Sequence, residues 1–222
     1  MELNQASGEL EPLKISCTSS DCDAGTHCFR PDGRKAGGKK ARSSADQDGR
    51  CRTCGAQLVD WERVRKRDLT DVEYTFQALK YETIRHHFWH VALDEKAVKY
   101  ARRDGLKQLR DDSESRVRKS LGPEASRIFR DGTQTPKTGK ALFYAQHATA
   151  TCCRKCVEYW HGIPRDRALS DEEIGYLAAL VFRYIEDRLP FLTRDGELLP
   201  GIRRRRATLP GKETGAKAVG AR

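Results

Sequence analysis

The pattern Cys51-x-x-Cys54-Gly55 is typical of a zinc knuckle, a turn in which two cysteine thiolates meet at one metal ion. The glycine that follows the second cysteine permits the tight turn. A tetrahedral zinc shell needs two further ligands. The best candidates are Cys17 and Cys22, with His27 and Cys28 as alternates. Four sulfur ligands would fill the shell, so this first constellation predicts a structural zinc.

A second constellation lies near the C-terminal end and concentrates five possible ligands between residues 147 and 161. They are His147, Cys152, Cys153, Cys156 and His161. Cys153 and Cys156 are one helical turn apart and can face the same ion, and Cys152 is their substitute or neighbour. With His147 arriving from before the helix and His161 from its end, the expected set is His147, Cys153, Cys156 and His161. Four protein ligands predict a second structural zinc.

Three short strings in this region carry a resemblance to a known family. They are Gln134-Thr135-Pro136, HATATCCRKC at 147–156 and WHGIP at 160–164, followed by a capped helix. Over residues 127–192 they resemble the signature of a small bacterial family that is classified only as a domain of unknown function. The resemblance implies a bacterial protein, and it implies that the five possible ligands of the second constellation belong to one site. It implies no activity.

A further set of possible ligands recurs every fourth residue in the middle of the chain, where Glu82, His86 and His90 share one helical face. A carboxylate and two imidazoles suit zinc, manganese or iron, so this face is a candidate second metal site or acid/base site. The spacing of His86 and His90 matches that of zinc proteases, but His87 stands where their glutamate would be, which argues against a protease. We favour packed, hydrogen-bonded imidazoles, and catalysis at this face is the alternative.

The net charge of +10 is concentrated in two segments, a loop at 29–50 and a tail at 193–222. Both are poor in apolar residues, so we expect them to be flexible. The tail contains a run of four arginines that can contact phosphates, which points to DNA or RNA as a partner. These phosphate-binding candidates are Arg203, Arg204, Arg205 and Arg206.

The elements that must position these residues are mostly helices. Thr70 and Asp71 start a central helix that continues to about Val91, and a second helix runs from Asp94 to about Arg110. Ser170 with Glu173 forms a capping box for the last helix, whose apolar stripe ends before Pro190. Strand signals are restricted to 56–59 and 141–145. The fold class is therefore mainly α with minor β, a zinc-stabilised helical domain with an N-terminal zinc-knuckle segment.

Composition divides the 222 residues into consecutive segments. We expect an acidic flexible N-terminus at 1–12, a cysteine knuckle segment at 13–60, a helical middle at 61–126, a His/Cys zinc-binding helical domain at 127–192 and the basic tail. There is no apolar run long enough to cross a membrane and no basic-then-apolar leader, so a cytoplasmic location is expected. Clustered cysteines in a reducing compartment indicate metal rather than disulfides.

These features favour a zinc-binding protein with two structural zinc ions that acts as a nucleic-acid or protein interaction module. The alternative is a metal-dependent hydrolase, such as a nuclease, that uses Glu82, His86 and His90 or the His147 site. A redox role for Cys152 or Cys153 is a third hypothesis.

Overall fold

The computed structural model describes residues 18–30 and 49–200, and this part of the chain is mainly helical. Within it there are eight α-helices and no β-strand. The helices are α1 (Ser19–Asp23), α2 (Trp61–Arg65), α3 (Val72–Lys80), α4 (Thr83–His90), α5 (Glu95–Leu121), α6 (Ala141–Ala148), α7 (Arg154–His161) and α8 (Asp171–Arg188). No helix in the described ranges is long and apolar enough to span a bilayer. Cys17, residues 1–12, most of the basic loop and Arg203–Arg206 lie outside the described residues.

Helix α8 is central to the packing, and its sequence pattern predicts it correctly. The Ser170 hydroxyl accepts a hydrogen bond from the Glu173 N–H while the Glu173 carboxylate accepts one from the Ser170 N–H, which completes the capping box. The apolar stripe of α8 is buried against α5 and α6. The proposed boundary at residue 126 thus separates helices that share one hydrophobic core.

The central helix is interrupted, in contrast to the expectation of one continuous element. Helix α3 ends at Lys80 and α4 begins at Thr83, and the backbone of Phe29 pairs with the gap between them. The Phe29 N–H donates to the Tyr81 carbonyl at 2.9 Å, and the Thr83 N–H donates to the Phe29 carbonyl at 3.1 Å. Ile84, the second residue of α4, is 48% exposed, although the sequence pattern places it on the apolar face of the central helix.

Helix α5 extends beyond the predicted end at Arg110 but is kinked at Gly105, which has φ +72° and ψ 170°. The carbonyls of Thr193 and Arg194 accept hydrogen bonds from the N–H groups of Leu106 and Lys107, just after the kink. Residues 193 and 194 therefore provide hydrogen-bond acceptors for the two N–H groups that lose their helical partners at the kink. Gly196 crosses Gly105 so closely that a Cβ on either residue would clash with backbone.

The two predicted strands are absent from the described residues, which corrects the minor β component of the fold class. Residues 141–145 belong to α6, because a short apolar run has no period that distinguishes a strand from a buried helix. Residues 56–59 contribute only an isolated bridge between Arg50 and Gln57.

Candidate metal centres

The first candidate centre is built from a one-turn helix and a tight turn. Helix α1 is fixed by a capping box between Thr18 and Asp21, and it presents Cys22. The knuckle turn closes through the Gly55 N–H, which donates to the Cys51 carbonyl at 3.0 Å, and Gly55 adopts φ +76°. That conformation favours glycine, as the sequence pattern predicts.

Four possible ligands meet here, and we call Cys22, His27, Cys51 and Cys54 the first centre. Their ligand atoms all lie within 4.8 Å of one another, with 3.6 Å between the Cys22 and Cys51 sulfurs and 3.5 Å between the Cys54 sulfur and His27 Nδ1. In a tetrahedral zinc site, the usual bond lengths place two sulfurs about 3.8 Å apart and a sulfur and a nitrogen about 3.5 Å apart. Both separations fit such a site, so the first centre could hold a metal ion.

The environment of the first centre acts on the thiols in opposite directions. Burial disfavours the thiolate of Cys51, but the backbone N–H groups of Cys54 and Thr53 outweigh it and lower the pKa of Cys51 to about 5. Burial and the neighbouring thiols raise the pKa of Cys22 to about 12. Once Cys51 is a thiolate, repulsion between two negative charges disfavours ionisation of Cys22. A bound cation would remove this repulsion.

Three of the predicted ligands of the first centre come together, and the fourth place is taken by the alternate His27. Cys28, the other alternate, is fully buried with the hydrophobic core, and its carbonyl accepts a hydrogen bond from the Arg52 N–H. Cys17, the first choice from spacing, lies outside the described residues.

The second candidate centre lies at the turn between α6 and α7. Gln146, Thr149 and Thr151 are fully buried and tie this turn together. The Gln146 side chain donates to the Thr151 carbonyl at 2.9 Å, and the Thr149 hydroxyl donates to the Ala145 carbonyl at 2.7 Å. The threonines of HATATCCRKC are therefore structural.

Three thiols meet at the end of this turn, and we call Cys152, Cys153 and Cys156 the second centre. Their sulfurs all lie within 4.8 Å of one another, and Cys156 is the most accessible of the three. The Cys153 sulfur caps α7 by accepting a hydrogen bond from the Cys156 N–H at 3.4 Å. The partial positive charge at a helix N-terminus favours thiolates there. The three sulfurs could hold a metal ion.

A buried arginine, which the sequence pattern did not reveal, lies against these thiols. Arg85 donates to the Cys152 sulfur at 3.8 Å and to the Cys156 sulfur at 3.5 Å, and to the carbonyl of His147. Its Nε lies 3.3 Å from the buried carboxylate of Glu82, which also accepts a hydrogen bond from the Trp160 indole. Arg85 thus bridges a carboxylate and two thiols. The only signal in the sequence is the Glu82–Arg85 spacing of three, which is common on exposed helix faces too.

The charges of this group are strongly coupled. The neighbouring thiols of Cys153 and Cys156, with Arg85, lower the pKa of Cys152, and the pKa of Cys153 is raised in turn by Cys152 and Cys156. Burial raises the pKa of Glu82. One thiolate therefore forms readily beside Arg85, while further ionisation of the cluster needs additional positive charge.

The two histidines predicted for the second centre, His147 and His161, are not part of the group of three thiols that meets there in the described residues. His147 contacts the Thr135 carbonyl through Nε2 at 3.2 Å and stacks on Phe88. His161 is buried, with Nε2 3.0 Å from the Thr149 carbonyl and Nδ1 3.3 Å from the Tyr176 hydroxyl. Backbone and hydroxyl partners hold both rings, so the histidines of the signature link helices.

The predicted face of Glu82, His86 and His90 is divided. The two imidazoles stack at 3.7 Å, and each Nδ1 contacts a backbone carbonyl, that of Lys80 for His86 and that of His86 for His90. Glu82 directs its carboxylate to Arg85 and Trp160, as described above. Burial lowers the pKa of His86 to about 4, with a smaller effect of His90. This arrangement matches the favoured interpretation of packed, hydrogen-bonded imidazoles.

One protein-family model matches residues 73–186, just over half of the 222-residue chain. The family is described as a domain of unknown function (DUF4186). The match includes the second centre and the helices around it, and it starts earlier than the signature strings at 134–164. No solved structure matches the chain.

Proposed function

We propose that this chain, which belongs to the DUF4186 family, is a zinc-binding protein with one zinc ion at each of the two centres. The observation that carries the proposal is the first centre, in which three sulfurs and one imidazole nitrogen lie within 4.8 Å of one another and two of their separations, 3.6 and 3.5 Å, are those of a tetrahedral zinc site. Zinc is the ion that favours such a mixed thiolate and imidazole set in four-coordinate protein sites. With four protein ligands, the role of this ion is structural.

The first zinc fastens the knuckle to the family domain. Phe29 lies two residues after the first-centre ligand His27, is 1% exposed, and packs on Trp61 and Trp160 at centroid distances of 6.4 and 5.9 Å. Its backbone pairs with Tyr81 and Thr83 at the break between α3 and α4. The zinc ion would therefore join two segments, α1 and the knuckle turn, which precede and follow Phe29 in the sequence.

The zinc proposal is tested by elemental analysis of the purified chain. We expect two zinc ions per chain, one after Cys54→Ser and one after Cys156→Ser. Cys28→Ala is the matched control, because it removes a buried cysteine beside the first centre that is not among its ligands. Full zinc content in Cys54→Ser, or loss of a zinc ion in a folded Cys28→Ala variant, would contradict the assignment of the first centre.

The role that we propose for the zinc-stabilised fold is interaction with nucleic acid, with a protein partner as the other form of the same hypothesis. Its support is the charge pattern, because Arg203–Arg206 and the basic loop supply a concentrated positive charge that attracts phosphates. The hydrolase alternative is weaker, because Glu82 is bonded to Arg85 and Trp160 instead of joining His86 and His90.

The structure defines the deletion that tests this role. Thr193, Arg194 and Glu197 bond to the backbone of α5, so truncation should follow residue 200. We expect the full chain to bind a mixed-sequence DNA or RNA at low salt, with an affinity that falls steeply as salt is added. The truncated chain should keep both zinc ions and lose most of this affinity. Equal binding by the two chains would refute the role of the arginine run.

A further inference from the structure

We propose that the zinc ion of the second centre is held by three thiolates and keeps its fourth coordination position for a small anion from solution, next to Arg85. The inference rests on the second zinc of the proposed function and goes beyond it. It makes the second centre a ligand-binding site and not only a structural one.

The number of protein donors supports an open site. In the described parts of the chain, the group at the second centre consists of three sulfurs, and both nearby histidines have backbone or hydroxyl partners elsewhere. Zinc sites with three protein ligands exchange the fourth ligand with solution, whereas structural sites have four protein ligands. The first centre, with four donors, serves as the internal comparison.

The charge of the site explains why an anion is the expected ligand. Three thiolates and one zinc ion leave a single negative charge, and the Arg85 guanidinium, which is also paired with the Glu82 carboxylate, donates to Cys152 and Cys156 and offsets part of it. Arg85 is fully enclosed, so its field is screened far less than that of a surface arginine. A small anion on the metal would therefore lie next to the guanidinium nitrogens that face the thiols.

Accessibility limits the size of that ligand. Cys152 and Cys153 are 7% and 3% exposed, and only Cys156 is partly open. We therefore expect a ligand to reach the metal from the Cys156 side and to consist of only a few atoms. Azide and imidazole are suitable probes, because one carries a negative charge and the other is neutral.

Cobalt substitution makes the two centres separately visible, because Co(II) takes the place of zinc and its absorption reports the ligand set. The variant His27→Ala/Cys54→Ser keeps the second centre, and Cys156→Ser keeps the first. We expect azide to shift the cobalt absorption of the first variant saturably and to leave that of the second variant unchanged. Cobalt in the second centre that does not respond to azide or imidazole would overturn the inference and leave the zinc proposal intact.

Two further outcomes separate the hypotheses. A changed second-centre spectrum after Cys17→Ser would show that Cys17 is the fourth ligand, so the site is closed. Absence of cobalt and zinc from the second centre in the folded chain would instead refute the second zinc itself.

The role of Arg85 is tested by a charge-balanced pair of substitutions. In Glu82→Gln/Arg85→Met both buried charges are removed, so neither is left without its partner. We expect azide to bind roughly tenfold more weakly to this variant, while imidazole binds as before. Arg85→Lys keeps the charge and should retain most of the azide affinity. An equal change for azide and imidazole would contradict the electrostatic role of Arg85.

Discussion

Replacing Gly105 with alanine should destabilise the fold, because two features of the structure require glycine at this position. Gly105 has φ +72° and ψ 170°, a region that costs other residues roughly 1–3 kcal/mol. An added Cβ would also lie 2.2 Å from the backbone nitrogen of Gly196. The atom it meets is backbone, so relief requires the segment around Gly196 to move away.

That movement would break three backbone hydrogen bonds between this segment and α5. They join Leu106 to Thr193, Lys107 to Arg194 and Glu197 to Arg102. Each is worth about 0.5–1.5 kcal/mol net, and water recovers part of the loss near the surface. Strain and lost bonds together give an expected destabilisation of about 3 kcal/mol. For a chain of this size, that corresponds to a decrease in Tm of roughly 6–12 °C.

Gly175→Ala is the matched control, since it makes the same substitution inside α8. A Cβ at Gly175 meets nothing within 4 Å, and its φ is ordinary, so helix propensity should stabilise the chain by up to about 1 kcal/mol. Urea unfolding of the zinc-loaded chains, followed by tryptophan fluorescence, measures both effects. Wild-type stability in Gly105→Ala, or a larger loss in Gly175→Ala, would refute the reasoning from the kink.

Two further predictions concern buried side chains around the second centre. Arg154 donates to the carbonyls of Leu121, Pro123 and Pro164. Arg154→Met should therefore lower the free energy of unfolding, measured in urea, by about 3 kcal/mol or more. The control is Lys155→Met at an exposed position, which should change it by less than about 0.5 kcal/mol. Burial lowers the pKa of His161 from 6.5 to about 4. The unfolded chain therefore binds a proton that the folded chain excludes, and stability falls as the pH drops from 6.5 toward 4. Between pH 7.5 and 5, His161→Gln should lose about 2 kcal/mol less than the wild type, with zinc content measured at each pH; equal losses would contradict the lowered pKa.

The parts of the fold that local sequence predicts are those whose stabilising contacts are themselves local. The capping box of Ser170 and Glu173 and the stripe of α8 involve residues within one helix, and both predictions are confirmed. The break between α3 and α4 could not be predicted in this way, because it depends on the backbone of Phe29, some fifty residues away. The kink at Gly105 likewise depends on residues 193–197.

The same distinction applies to the metal ligands. Cys51 and Cys54 belong to one turn, and Cys153 and Cys156 to one helical turn, so spacing alone brings each pair together. Histidines differ, because an imidazole can bind a metal or form a hydrogen bond with a carbonyl or a hydroxyl equally well. Residues that are distant in sequence determine which of these partners it meets. His27 reaches Cys54 from the other side of the basic loop, while His161 bonds the Thr149 carbonyl. Residue type therefore identifies possible ligands, and tertiary contacts decide among them.

A continuous series of contacts connects the two centres, although only the second lies within the matched range of the family. Phe29, next to the first centre, packs on Trp160, whose indole donates to Glu82. The Glu82 carboxylate in turn bonds Arg85, which donates to the thiols of the second centre. The backbone of Phe29 also brackets Glu82 from both sides through Tyr81 and Thr83. The docked Phe29 therefore contacts the residues that flank Glu82 and the tryptophan that bonds it, and Glu82 in turn pairs with the arginine at the thiols.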